Sequence, residues 1–75
     1  MEEKTIKVYV ELLEEGTPTI RGTQAIDLGD GTAKLLPTHN YDPEDEIWEF
    51  VPGTVVKIKE VNNGGEKLLF AYDKA

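Results

Sequence analysis

The run Thr38-His39-Asn40-Tyr41-Asp42-Pro43-Glu44-Asp45-Glu46-Ile47-Trp48-Glu49-Phe50 holds five of the chain's fifteen carboxylates, its only Trp and its only His, with no Lys or Arg. Asp42, Glu44, Asp45 and Glu46 could supply the oxygen ligands that a hard cation such as Ca²⁺ takes. The calcium-loop pattern, with its glycine at the sixth position and its distal glutamate, is absent. A paired carboxylate could do acid–base work if burial or a like charge raised one pKa, but consecutive residues on an exposed loop seldom meet that condition. His39 could serve a nucleophile only if the chain positioned one beside it, and the spacing fixes no such arrangement. Gly29-Asp30-Gly31 is a turn and not a phosphate cradle, because no helix with free N-terminal amides follows it. The expectation is a protein that is not an enzyme and uses no metal and no cofactor.

The same residues suit recognition better. Aromatic rings beside uncompensated carboxylates can hold the stems and charged ends of Lys or Arg, as SH3 domains hold extended Pro-rich ligands with basic flanks. Tyr9, Tyr41, Asp42, Glu44, Asp45 and Trp48 are the partner-binding candidates. Tyr9 qualifies because it falls on the polar face of the first strand, and Tyr41 because it heads the acidic turn. Trp48 has two readings open to it: a groove residue beside the tyrosines, or a core residue whose indole N–H finds a partner inside.

Charge narrows the partner further. The formal net charge is −7, and residues 1–37 carry seven acids and four bases, 38–50 five and none, and 51–75 three and four. The three segments sum to −3, −5 and +1, so the imbalance is concentrated in the acidic run. Binding a phosphate backbone needs clusters of Lys and Arg that release counterions, which argues against nucleic acid. A protein or peptide with basic groups is the expected partner, and a solvated loop that keeps a small domain soluble is the competing reading. There is no Cys, which excludes disulfides, thiolate zinc sites and a cysteine nucleophile and fits a reducing cytoplasm. After Met-Glu-Glu-Lys no apolar run is long enough for a signal peptide or a membrane span, so a cytoplasmic monomer or weak homo-oligomer without membrane contact is expected.

Short strands must position these residues. Ile6, Val8, Val10 and Leu12 alternate with Lys7, Tyr9 and Glu11, the period of a strand. Glu15-Gly16-Thr17-Pro18 interrupts it. Thr19 to Leu28 is a second strand, weakened at Gly22 by a bulge or a close backbone approach. Asp30-Gly31 is expected as the centre of a type I′ hairpin turn, both residues at positive φ, leading into a third strand from Thr32 to Leu36. Asp42-Pro43-Glu44-Asp45 opens one 3₁₀-like turn with Asp42 as N-cap. Ile47 to Phe50 is a short strand, Val51-Pro52-Gly53-Thr54 a tight turn, and Val55 to Val61 a fifth strand. Asn62-Asn63-Gly64-Gly65 is a hairpin into Leu68 to Tyr72.

Five or six such strands, in a chain of 75 residues, predict a single all-β domain: a small antiparallel SH3-like barrel over residues 1–75, with an OB-like barrel as the alternative. The expected inward sets are Ile6/Val8/Val10, Ala33/Leu35, Trp48/Phe50, Val56/Ile58 and Leu68/Phe70.

The phrases Val8-Tyr9-Val10-Glu11-Leu12-Leu13-Glu14-Glu15-Gly16-Thr17, Leu28-Gly29-Asp30-Gly31, Leu35-Leu36-Pro37 and Tyr41 to Phe50 followed by Pro52-Gly53 resemble a group of small uncharacterised bacterial proteins. The resemblance covers roughly residues 6 to 58. It implies a short cytoplasmic protein and brings no catalytic or ligand residues with it. The group often has an aromatic and a Pro where this chain has Ile20-Arg21-Gly22. Three function classes remain: a protein-interaction module using the acidic, aromatic loop, an acidic decoy or immunity-type protein that blocks a basic nuclease or regulator, and a structural accessory subunit.

Overall fold

β1 (Thr5–Leu13) alternates as its sequence dictates, burying Val8, Val10 and Leu12 while Lys7 and Glu11 face solvent and Tyr9 is half-buried. In the computed structural model, which describes residues 4–75, five more strands follow: β2 (Thr19–Asp27), β3 (Thr32–Leu35), β4 (Ile47–Trp48), β5 (Val55–Asn63) and β6 (Glu66–Lys74). The described residues contain no helix, and hence none long and apolar enough to cross a membrane.

All six strands belong to one sheet that curls until it meets itself. Its order is β2-β3-β5-β6-β1-β4, and β1 pairs again with β2 to close the ring. β1 and β2 are matched continuously from Thr5↔Ile26 to Leu12↔Thr19. The other side of β1 is shared: Tyr9↔Phe70 is its one bridge to β6, and Leu12↔Trp48 and Leu13↔Ile47 join it to β4. The β1–β6 bridge is parallel although every other pairing is antiparallel. Five ring strands that alternate in direction put the first and the last the same way round, so closure has to be parallel.

Turn chemistry sets the corners. Gly53 has φ +92° after Pro52, and the Thr54 N–H reaches the Val51 carbonyl at 3.1 Å, as a proline-glycine turn requires. Gly64 and Gly65 both have positive φ between Asn63 and Glu66, the backbone of a two-residue hairpin. The β2–β3 corner departs from the expected type I′ turn. Positive φ falls on Gly29 (+88°) and Gly31 (+83°) and not on Asp30, and the Leu28 N–H bonds the Thr32 carbonyl at 3.1 Å. Two glycines flanking Asp30 relieve it of a conformation that costs a side-chain-bearing residue more.

The core is Val8, Val10, Leu12, Ala25, Ala33, Leu35, Trp48, Phe50, Val56 and Ala71, with Ile6, Tyr41, Ile58 and Leu69 packed against it. Four of the five expected inward sets hold. The fifth does not: Leu69 and Ala71 face inward, and Phe70 stands on the outer face opposite Tyr9. Leu68-Leu69-Phe70-Ala71-Tyr72 is apolar at every position, so period two cannot distinguish its faces. A β-bulge adds to this: Ile58 pairs Ala71 while Lys57 pairs Asp73, leaving Tyr72 as the extra residue. The strand bounds also move outward, because β5 and β6 pair on to Asn63↔Glu66 through polar residues that carry no apolar signal.

Candidate functional site

The acidic run folds from Asp42 outward. Its Oδ1 accepts the Glu44 N–H at 2.9 Å and its carbonyl accepts the N–H groups of Asp45 and Glu46, each at 3.0 Å. Asp42 is thus an N-cap, and Pro43, whose φ is preset and which has no N–H to satisfy, occupies the first position of a single turn. The turn leaves Asp42, Glu44 and Asp45 exposed and returns Glu46 to the wall of the barrel.

Glu46 joins the turn to the interior. It accepts the Trp48 indole N–H at 3.0 Å and is gripped by the Arg21 guanidinium, through Nε at 3.3 Å and through Nη2 on the other oxygen. Both donors stabilise the carboxylate, Arg21 more than Trp48, and hold Glu46 below the usual carboxylate range against the opposing effect of its partial burial. Trp48 is 2% exposed, and the Tyr41 ring meets it edge-on with centroids 4.8 Å apart and planes at 68°.

These contacts sort the six partner-binding candidates. Trp48 is a core residue, which corrects its place among them: its ring has no free face, and its N–H is spent on Glu46. Tyr41 is half-buried over Trp48, so it braces the turn and offers one edge. Asp42, Glu44 and Asp45 are all exposed, and Asp42 and Asp45 line one cleft with Glu46. Tyr9 does not join them. It packs on β1 opposite Gly22, with the Lys7 ammonium 5.3 Å from its ring centroid. A Cβ at Gly22 would lie 2.6 Å from Lys7 Cε and 3.0 Å from Tyr9 Cε2, and the β1–β2 register is continuous there. Gly22 therefore marks neither a bulge nor a close approach of another backbone but the place where the Lys7 and Tyr9 side chains pack over β2.

Arg21 is the residue that sequence reasoning missed. It is the chain's only arginine and gives the acidic run an internal counter-ion that the run itself lacks. Twenty-five residues separate it from Glu46, and the two meet because β2 and β4 both pair with β1. The available signal was that it stands next to the one glycine in β2. Arg21–Glu46 is the ion pair found among the described residues, and Asp42, Glu44, Asp45 and Glu49 remain exposed without one.

Two shallow clefts flank Gly22. One, of about 290 Å³, runs from Arg21 and Glu46 to Asp42, Asp45 and Asn40. The other, of about 250 Å³, lies between Lys7, Gln24, Pro37 and the exposed His39. The first can take an ammonium or guanidinium group among acceptors; neither places a nucleophile against a base. Among the described residues no three His, Asp or Glu side chains converge as metal ligands would. No family model, curated protein or solved structure matches this chain.

Proposed function

We propose that the protein is a non-enzymatic interaction module whose turn at residues 42–46 receives a basic protein or peptide. The observation that carries this reading is that three exposed carboxylates, Asp42, Glu44 and Asp45, stand on a turn fixed at both ends, by its own capping bonds and by the Glu46 clasp to Arg21 and Trp48. A turn that served solubility alone would need no such anchoring. A prepositioned acidic surface loses less freedom when a partner binds. Like charges held together also repel one another until a cationic group arrives.

The test begins with capture of a partner from a native lysate on the immobilised chain, followed by association kinetics over a range of salt. Replacing Asp42, Glu44 and Asp45 together by Asn, Gln and Asn should slow association and flatten its salt dependence, because rim charges act chiefly on encounter. Tyr41→Ala should speed dissociation, since the ring braces the turn and supplies contact. A triple variant with unchanged rate and salt slope reduces the turn to a solvated corner. A captured nuclease or regulator that loses nucleic-acid binding in the complex identifies the module as a decoy, and a fixed stoichiometric complex identifies it as an accessory subunit.

A further inference from the structure

The seam where β1 meets β6 by a single bridge leaves a groove of about 380 Å³ on the outer face, away from the acidic turn. Glu11 and Glu49 form one wall; Val61 and Phe70 supply its apolar surface, and Lys59 and Tyr72 stand on the β5–β6 side. Alternation along β6 puts Tyr72 outward after the inward Ala71; the bulge leaves it unpaired, the residue is 48% exposed, and the Lys59 ammonium lies 5.2 Å from its ring centroid.

The acidic wall is unusual for a sheet. The β1–β4 register runs Leu13↔Ile47 and Leu12↔Trp48, and the Glu49 N–H donates to the Glu11 carbonyl at 2.9 Å, so Glu11 and Glu49 stand across from each other on one face. Like charges directly opposite in an antiparallel pair destabilise it. Among the described residues neither has an ion-pair partner, and Lys59 is held over Tyr72. A groove with an apolar, aromatic side and two facing carboxylates complements one kind of group: an apolar stem ending in a planar or compact cation.

We propose that this groove is a docking site for an extended peptide segment in which an arginine, flanked by aliphatic residues, lies between Glu11 and Glu49 with its stem against Phe70 and Val61. Arginine fits better than lysine because its planar fork can bond two carboxylates at once and stack on an aromatic face. The site is separate from the turn at residues 42–46 and does not depend on the function proposed for that turn.

The probe is a labelled seven-residue peptide, Ser-Gly-Leu-Arg-Leu-Gly-Ser, titrated into the full chain while amide resonances are followed, with a citrulline-for-arginine peptide as control. Citrulline keeps the shape and removes the charge. Shifts should centre on Glu11, Glu49, Phe70 and Tyr72, and the citrulline peptide should bind about tenfold more weakly, as should the arginine peptide to a Glu11→Gln/Glu49→Gln variant. Asp42→Asn/Glu44→Gln/Asp45→Asn should leave this binding unchanged, which separates failure of the groove from failure of the turn. Equal binding of the citrulline peptide, shifts confined to the acidic turn, or no saturable binding at low-millimolar peptide overturns the proposal. So do groove shifts that follow dilution of the protein alone, since the occupant is then a second copy of the chain.

Discussion

At the scale of residues, Glu46 differs from its neighbours only in what reaches it. Past the capping Asp42, nothing in Pro43-Glu44-Asp45-Glu46 tells one carboxylate from the next, and what does is the arginine on another strand together with the Trp48 indole N–H. The direction of its shift fixes a pH dependence. Because its folded pKa is lowered, the stabilisation from Glu46 is fully present above the ordinary glutamate value, about 4.3, and is lost as pH falls through the lower folded value. Arg21 is 46% and Glu46 24% exposed, so solvent screens the pair, and Glu46→Gln should cost about 1 kcal/mol at neutral pH. Urea unfolding over a pH series checks this: the gap between the native chain and Glu46→Gln should narrow as pH drops below 4. A gap that stays constant would mean that Glu46 acts through packing alone. Arg21→Lys should recover only part of the native stability, since an ammonium cannot reproduce the two-pronged contact.

At the scale of elements, strands were legible wherever apolar and polar residues alternate and a turn residue marks the end. β1 and β3 meet both conditions, and their buried faces are those the alternation requires. The acidic turn was equally legible, because Asp-Pro is both cap and first position. β6 met neither condition, having five apolar residues in a row and a bulge that pattern cannot reveal. Its corrected faces can be tested by ranking substitutions. Leu35→Ala removes a fully buried side chain and should cost about 2–5 kcal/mol, whereas Phe70→Ala, half-buried outside the barrel, should cost about 1 kcal/mol. Ala71→Leu should destabilise by about 1–3 kcal/mol, because a larger side chain must enter a filled interior. Chemical denaturation of the three variants decides it, and a reversed order for Phe70 and Leu35, or an Ala71→Leu chain as stable as the native one, returns Phe70 to the core.

At the scale of the whole molecule, the charge that the sequence concentrates in one run becomes a field over a body only 40 × 28 × 21 Å across. The Debye length is about 30 Å at 0.01 M salt and about 8 Å at 0.15 M, so at low ionic strength nearly every charge feels every other, and at physiological salt only near neighbours interact. Two effects then oppose each other as salt is added. Screening weakens the Arg21–Glu46 pair, an exposed interaction worth at most about 1 kcal/mol, and it relieves the self-repulsion of a chain with net charge −7. The second is the larger, because one pair is lost while repulsion among all the uncompensated carboxylates is relieved. Thermal unfolding should therefore shift to higher temperature between 0.01 and 0.15 M NaCl. The Asp42→Asn/Glu44→Gln/Asp45→Asn chain should start more stable at low salt and gain less, since those three charges carry much of the repulsion and take no part in the ion pairing found among the described residues. Equal salt responses in the two chains would place the repulsion elsewhere, at Glu11 and Glu49 first, where two carboxylates face each other across the sheet.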